Sequence, residues 1–347
     1  MTDIHIRIEG RAGRITLTRE KALNALSYDM CLAIDRALKD WADTEAVAVV
    51  ILDAAGPKAF CAGGDIAELY DTGRKGDFAY GRRFWRDEYR MNARIFEYPK
   101  PVVSFLQGFT MGGGVGIGCH GTHRIVGDSS RISMPECGIG LVPDVGGSLL
   151  LALAPGRLGE YLGTTGYRMG PGDAVFAGFA DHFIPEALWP ELIATLARTA
   201  DLAILAEAAT PPPESPLAAL QTDIDACFAG ETAGDILTVL QQRGDDFAEQ
   251  CLASLSRGAP LSVAATVEMI HRLRSTTATM RAALELEYRF TWRAMEHGDL
   301  LEGVRALIID KDKSPKWQYA DGSVPGVAVS QMLMPLGADA LTFEEEE

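Results

Sequence analysis

Strand and helix patterns alternate through roughly the first two hundred residues, and this alternation constrains the fold more than any other feature. Residues 4–17 alternate apolar and polar side chains, as two strands joined by a turn do, and residues 46–52 and 101–106 are apolar runs of strand length. Helical patterns follow Ser27 and Asp65, residue types that suit a helix N-cap. Because wholly apolar strands are buried on both faces, the order predicts an α/β fold whose sheets are covered by helices.

The composition changes near residues 210–217, where four prolines fall within six positions. Such a cluster interrupts regular structure. Beyond it, apolar residues recur mainly at helical spacing, and the chain closes on four glutamates, which predict a solvated, frayed tail. We therefore predict two domains: an α/β core over residues 1–210, which holds the functional site, and a mainly helical region over residues 217–347.

The chain of 347 residues carries a formal net charge of −16. Affinity for nucleic acid comes from basic patches, so this balance argues against a general nucleic-acid binder, although a few local cations suffice for a phosphate-bearing ligand. Hydrophobic residues make up 47% of the chain, enough for a substantial core. No segment approaches the roughly 20 consecutive apolar residues of a membrane span. We expect neither nucleic acid nor membrane as a partner.

The six cysteines form neither a CxxC pair nor a zinc-like pattern with histidine. In a chain of this length they predict reduced and mostly buried thiols of an intracellular protein. The first residues contain no basic segment followed by an apolar one, and no Arg-rich transit segment. We therefore expect a cytoplasmic protein without a metal site.

Two glycine-rich segments, residues 59–65 and 110–116, are the first candidates for function. One such turn by itself is usually structural, because glycine fits positive-φ turns and tight contacts between elements. Two of them, however, are able to direct backbone N–H groups at one point. Acyl-transfer enzymes stabilise an oxyanion in this way, each donor being worth on the order of 3 kcal/mol.

Two carboxylates, Glu136 and Asp144, lie in a third segment, residues 134–147. A glutamate before a glycine-rich stretch is usually a solvated turn residue or a helix cap, but mostly apolar neighbours favour a partly buried Glu136 with a raised pKa. Asp144 precedes Val145, two glycines and a predicted helix, so a helix N-cap is the alternative to a catalytic role. Carboxylates together with backbone donors suit general acid–base chemistry on an acyl group.

The three segments resemble the motifs of the crotonase (enoyl-CoA hydratase/isomerase) superfamily, and the resemblance extends from about residue 4 to residue 317. Asp144 and residues 302–317 resemble, in particular, the branch of 3-hydroxyisobutyryl-CoA hydrolases. The family fold is a spiral of ββα units followed by a helical region. Because its members act on thioesters of coenzyme A, the resemblance implies that coenzyme A is part of the substrate and that no separate cofactor is needed.

The resemblance also implies roles for individual residues. The amides of Gly64 and Gly113 match the oxyanion hole. Glu136 matches the catalytic glutamate of the family, and Asp144 matches the catalytic aspartate of the hydrolase branch. Glu88 matches a glutamate that contacts the substrate, although a solvated helix face is the default for such a residue. Further substrate-binding positions are the neighbours of the oxyanion-hole glycines, namely Gly63, Asp65 and Gly112.

One position departs from the hydratase pattern. Hydratases have a second catalytic glutamate where this chain has Gly116, so the acid–base pair that adds water across a double bond is incomplete. We therefore expect hydrolysis of a short β-hydroxyacyl-CoA, and the resemblance implies 3-hydroxyisobutyryl-CoA, an intermediate of valine degradation. Glu136 either activates water or attacks the thioester to form an anhydride; the sequence leaves both routes open.

Two other functions compete with hydrolysis. Isomerisation of an enoyl-CoA needs only one carboxylate in this family, so Gly116 affects it less than it affects hydration. A non-catalytic role is the other alternative, since a fold does not fix a function, but the acidic charge and the intact pair of Glu136 and Asp144 argue against it. Many members of the family are trimers or pairs of trimers, so the resemblance also implies a homo-oligomer.

Overall fold

The structure, a computed structural model, describes residues 3–274 and 278–343. These residues form two compact units that interleave along the chain. The first unit comprises the residues up to Gly64, Arg90–Ser133 and Arg168–Ala219, and the second comprises Asp65–Tyr89, Met134–Tyr167 and the residues from Leu220 onward. The composition predicts one boundary near residues 210–217 instead. The glutamates of the predicted frayed tail lie outside the described residues.

The described strands all belong to the first unit and form two sheets. In chain order they are β1 (Ile4–Glu9), β2 (Ala12–Leu17), β3 (Val49–Ala54), β4 (Ala59–Cys61), β5 (Val102–Phe105), β6 (Phe109–Met111), β7 (His123–Val126), β8 (Arg131–Ser133) and β9 (His182–Phe183). The larger sheet has the order β1-β2-β3-β5-β7-β9, in which β1 and β2 are antiparallel and the other pairs are parallel. The smaller sheet, β4-β6-β8, is parallel throughout.

Two buried strands that are rich in valine, β3 and β5, build the centre of the larger sheet. Every residue of β3 except the last is buried, and so is every residue of β5. Trp189 packs edge-on against Phe105 of β5, with 5.3 Å between the ring centres, and its indole N–H donates to the Ile184 carbonyl at 2.9 Å. The buried parallel strands confirm the predicted α/β fold.

Helices make up most of the second unit. In chain order the helices of the protein are α1 (Tyr28–Ala42), α2 (Ile66–Arg74), α3 (Phe78–Phe96), α4 (Gly113–Gly118), α5 (Gly147–Leu153), α6 (Leu158–Thr165), α7 (Pro171–Phe176), α8 (Trp189–Thr199), α9 (Ala203–Ala208), α10 (Pro216–Cys227), α11 (Ala233–Arg243), α12 (Asp246–Leu255), α13 (Pro260–Leu273), α14 (Met280–His297), α15 (Leu300–Val304) and α16 (Gly326–Met332). Short 3₁₀ helices cover Glu20–Ala22, Glu136–Ile139, Glu186–Leu188 and Gly337–Asp339, and a π-helical turn covers Arg305–Ile309. The first unit contains α1, α4 and α7–α9; the second contains α2, α5, α6 and α11–α16; a boundary falls within α3 and within α10.

Side-chain caps explain where several helices begin. The Ser27 hydroxyl accepts a hydrogen bond from the Met30 N–H at 3.3 Å, and the Asp65 carboxylate accepts one from the Ala67 N–H at 3.4 Å. The N-cap predicted at Ser27 and the helix start predicted at Asp65 are therefore both confirmed. Thr232 closes a capping box at the start of α11. These helices start where local chemistry places them.

All six cysteines are buried and none forms a disulfide among the described residues, as their spacing predicts. Within residues 3–274 and 278–343, no helix combines the length and the apolar composition that crossing a membrane requires.

Candidate active site

The two glycine-rich segments, residues 59–65 and 110–116, each run from a strand of the first unit into the turn that follows it. β4 pairs in parallel with β6, Cys61 lying opposite Thr110, so both strands end at the same edge of the smaller sheet. A Cβ added to Gly114 would lie 2.2 Å from the carbonyl oxygen of Cys61. Because a backbone atom cannot move aside as a flexible side chain does, glycine is required at this contact. The structure thus brings the two predicted turns together.

Backbone conformation determines which amide groups these turns present. Gly63 has a φ of +113° and Gly112 a φ of +48°, conformations that L side chains rarely adopt. The Gly63 carbonyl accepts a hydrogen bond from the Leu26 N–H at 2.9 Å, a bond that does not use the Gly64 N–H. Gly113 is the first residue of α4, and the first N–H groups of a helix have no acceptor within that helix. The two amides predicted as donors therefore follow adjacent strands of one sheet.

Three carboxyls predicted as site residues are buried in the second unit. Glu136, the first residue of its 3₁₀ helix, is 5% exposed, while Asp144 and Glu88 are each 4% exposed. Glu136 and Glu88 are thus not the solvated residues that the sequence offers as alternatives. Nor is Asp144 a helix cap, since Gly146 is the N-cap of α5. The charge of Asp144 acts on both Glu136 and Glu88, so the three carboxyls form one cluster.

Tyr89, next to Glu88 on α3, fixes the side chain of Asp144. Its hydroxyl donates to Asp144 Oδ2 at 2.7 Å and lies 3.4 Å from the Thr291 hydroxyl oxygen. The Tyr89 ring is fully buried and meets Tyr288 edge-on, with 6.1 Å between the ring centres. A hydrogen bond donated to a carboxylate favours the ionised form and sets its orientation. Sequence reasoning misses this residue, because nothing local to Tyr89 indicates its partner.

A fourth buried carboxyl, Glu287 on α14, is also missed by sequence reasoning. Its Oε2 accepts a hydrogen bond from the Gly146 N–H at 2.8 Å, and its Oε1 accepts one from the Ser148 N–H at 3.1 Å. The Ser148 hydroxyl donates to the same carboxyl. A signal exists in the sequence: Leu284, Glu287 and Thr291 share one face of a helical pattern, and that face is buried. A carboxyl at a buried helical position is unusual and points to a specific partner.

Burial is the main cause of the raised pKa values in this cluster. It raises the pKa of Asp144 to about 7, against the opposing effect of the hydrogen bond from Tyr89, and the pKa of Glu287 to about 8. Burial and the charge of Asp144 hold the pKa values of Glu88 and Glu136 well above their usual range. Among the described residues, Glu88 Oε1 and Glu136 Oε2 are buried without a hydrogen-bond partner. With these pKa values, Asp144 and Glu287 are able to take up and release protons near neutral pH.

Three further predicted residues belong neither to the pair of oxyanion-hole amides nor to the carboxyl cluster. Asp65, predicted to bind substrate, is partly exposed at the start of the second unit and caps α2. Gly63 and Gly112 supply the turns of the first unit. Within the described part of the chain, no group of three or more His, Cys, Asp or Glu side chains is placed to hold a metal ion. Candidate cations for the phosphates of coenzyme A are all exposed: Lys58, Arg168, Lys311, Lys313 and Lys316.

Residues 12–333 match a family model described as enoyl-CoA hydratase/isomerase. The chain belongs to this family. Among curated proteins it is similar to a mitochondrial 3-hydroxyisobutyryl-CoA hydrolase of Rattus norvegicus, with 38% identity over 92% of this chain and 85% of the relative. The resemblance of the three motifs to the crotonase superfamily is thereby confirmed.

Solved structures share the fold over almost the whole chain. A crystal structure described as an enoyl-CoA hydratase from Rhodobacter sphaeroides 2.4.1 is 56% identical, with a TM-score of 0.95 over 98% of this chain and 100% of that one. Another, described as a carnitinyl-CoA dehydratase from Mycobacterium thermoresistibile, is 38% identical, with a TM-score of 0.94 over 100% of both chains. The fold is therefore crotonase-like. The descriptions of these relatives name different reactions, so the choice among reactions depends on the residues of the site.

Proposed function

We propose that the protein hydrolyses a short β-hydroxyacyl-CoA thioester, with 3-hydroxyisobutyryl-CoA as the substrate and 3-hydroxyisobutyrate and coenzyme A as the products. The observation that carries the proposal is the buried pair of Glu136 and Asp144, with Tyr89 bound to Asp144. The name of the curated relative supports the same reaction and the same substrate.

The proposed chemistry has two parts, stabilisation of an oxyanion and transfer of a proton. In the first unit, the N–H groups of Gly64 and Gly113 stabilise the negative charge that develops on the thioester oxygen. In the second unit, Glu136 takes a proton from water while the water oxygen bonds to the acyl carbon. The carbon–sulfur bond then breaks, and the proton passes to the sulfur of coenzyme A. Asp144 orients the β-hydroxyl or the water and assists this transfer.

A covalent route has the same products. In that route a carboxylate oxygen of Glu136 attacks the acyl carbon, coenzyme A leaves, and water hydrolyses the resulting anhydride. Both routes require an ionised Glu136, and burial raises the pKa of that carboxyl. Activity is therefore expected to rise with pH until Glu136 has lost its proton.

Enoyl-CoA hydration or isomerisation is the second candidate, favoured by the description of the structure from Rhodobacter sphaeroides 2.4.1. Hydration in this family uses a glutamate where the chain has Gly116, which is buried within α4. Isomerisation needs one carboxylate and is compatible with Glu136 alone. Neither reaction releases free coenzyme A, so the products distinguish both from hydrolysis.

Substitution of Glu136 tests its proposed role. Glu136→Gln with Asp144 intact is expected to abolish coenzyme A release, because an amide neither accepts the proton nor attacks, while binding of coenzyme A measured by calorimetry stays within a few-fold of wild type. The matched control is Cys137→Ser at the next position, whose side chain contacts the Thr266 hydroxyl and the Gly163 carbonyl. This control should keep its activity. Turnover by Glu136→Gln at the wild-type rate would refute the assignment.

The predicted cytoplasmic location and homo-oligomeric state remain part of the proposal. The Rattus norvegicus relative is named as mitochondrial, a statement about that protein. Fractionation of the source cells and the solution mass of the purified protein test these two points.

A further inference from the structure

The turn that follows Asp144 has an unusual backbone. Val145 has a φ of +54° and Gly146 a φ of +81°, so two consecutive residues adopt the left-handed conformation. For a β-branched residue such as valine this conformation is strained, and it persists only where the surroundings hold it. Within the turn, the Gly147 N–H donates to the Asp144 carbonyl at 2.7 Å. Something beyond this local hydrogen bond has to stabilise the turn.

Glu287 supplies that stabilisation. One carboxyl oxygen accepts from the Gly146 N–H at 2.8 Å, and the other accepts from the Ser148 N–H at 3.1 Å and from the Ser148 hydroxyl. A single side chain therefore joins the peptide group that follows Val145 to the first turn of α5. Glu287 is completely buried, so these hydrogen bonds form without competition from water.

The helix that carries Glu287, α14, also contacts the tyrosine that binds the Asp144 side chain. Thr291 lies one turn after Glu287 on α14, and its hydroxyl oxygen is 3.4 Å from the Tyr89 hydroxyl that donates to Asp144 Oδ2. The side chain of Glu287 thus contacts the main chain after Asp144, while Thr291 contacts the phenol that binds the Asp144 carboxylate.

We propose that Glu287 is a positioning residue, which acts on catalysis by holding the turn after Asp144 in its left-handed form. The carboxylate of Asp144 then meets the Tyr89 hydroxyl in a fixed orientation. This inference rests on the proposed role of Asp144 in thioester hydrolysis. It assigns to the helical C-terminal part of the chain a task in the reaction that none of the sequence motifs indicates.

Glu287→Gln is the variant that tests it. Glutamine keeps the volume of the side chain, but its NH₂ group would face one of the donors and leave that hydrogen bond unmade. We expect kcat for coenzyme A release to fall on the order of 100-fold with KM changed by less than about threefold, since misplacement of a catalytic group acts mainly on the rate. Ser148→Ala, which removes one of the three donors, is expected to give a smaller fall of kcat.

The pH profile separates positioning from loss of stability. The charge of Glu287 contributes to the raised pKa of Glu136, so removing that charge lowers the pKa of Glu136. The acidic limb of kcat/KM should therefore shift to lower pH in Glu287→Gln. Glu160→Gln is the control: this carboxyl is also fully buried in the second unit, but its partners are Arg157, Arg274 and His271. The control should lose stability without a shift of the acidic limb.

Hydrogen exchange tests the inference independently of turnover. In Glu287→Gln, amides of the segment 141–149 should exchange faster at neutral pH, while those of β3 should not change. Unchanged exchange in residues 141–149, or a kcat within threefold of wild type, would overturn the inference. If the wild-type protein releases no coenzyme A, the proposed function fails, and exchange still decides whether Glu287 holds the turn.

Discussion

The concentration of buried carboxyls is the main feature of the site at the scale of single residues. Glu88, Glu136, Asp144 and Glu287 are each no more than 5% exposed, and all belong to the second unit. Burial disfavours their charged forms, and the charge of Asp144 adds repulsion. A fold built for stability alone would replace such a cluster by apolar side chains. Its presence supports the proposal that these carboxyls take part in proton transfer.

The stability of an Asp144→Asn variant tests this view. An unfolded aspartate has a pKa of about 3.9, and folding raises the pKa of Asp144 to about 7. Between these pH values the folded state binds more protons than the unfolded state, so the free energy of unfolding of the wild type falls as pH rises from about 4 to about 7. Asparagine does not ionise, so its burial causes no such loss of stability, and its side-chain oxygen still accepts the hydrogen bond from Tyr89. We expect Asp144→Asn to exceed the wild type in stability by a few kcal/mol at pH 8.5 and to equal it near pH 4.

Urea unfolding at the two pH values measures this difference. Asp173→Asn is the matched control, because Asp173 is a buried aspartate of the first unit that accepts from the Ser215 hydroxyl and the Leu217 N–H. That control should be no more stable than the wild type at either pH. Equal stability of Asp144→Asn and wild type at pH 8.5 would show that ionisation of the buried Asp144 carboxyl does not destabilise the folded protein.

Residues differ in how far their roles follow from the sequence. Glu136 and Asp144 stand in a recognisable local motif, and burial of both agrees with the role that the motif indicates. Glu287 lies 141 positions from its partner Gly146, and Tyr89 lies 55 positions from Asp144. Such pairings are created by packing of distant segments, and no local pattern contains them.

At the scale of elements, the smaller sheet is what gives the two glycine-rich segments a common location. Parallel pairing of β4 with β6 places both turns at one edge, and the contact between Gly114 and the Cys61 carbonyl requires glycine. Strands and capped helices of this kind are predictable, because hydrophobic periodicity and N-cap residues are local. The pairing order of the strands is not predictable in that way, since it depends on contacts between distant segments.

Alanine substitution distinguishes a glycine that close packing requires from a glycine that has room for a side chain. Gly114→Ala would place a methyl group against the Cys61 carbonyl oxygen, and we expect it to destabilise the protein by about 1–3 kcal/mol. Gly64→Ala meets no atom within 4 Å and should unfold at the same urea concentration as the wild type. Equal midpoints for the two variants in urea unfolding would contradict the close packing of the two turns.

At the scale of the whole molecule, neither compact unit is one continuous stretch of the sequence. Residues 65–89 and 134–167 join the C-terminal helices in the second unit, although the composition assigns them to an N-terminal core. A composition break is a local signal, whereas a compact unit is defined by contacts between distant segments. The carboxyl cluster also depends on contacts between distant segments, because its members come from α3, the segment around Glu136 and α14.

Release of free thiol by the purified protein is the most direct test of the central claim. 3-Hydroxyisobutyryl-CoA, 3-hydroxypropionyl-CoA and crotonyl-CoA would be compared side by side with a thiol reagent, and the crotonyl double bond would be followed by its absorbance. The account predicts fast release of coenzyme A from the two hydroxyacyl esters and none from crotonyl-CoA. Consumption or movement of the crotonyl double bond, with no thiol released from any substrate, would contradict it and make the protein a hydratase or an isomerase.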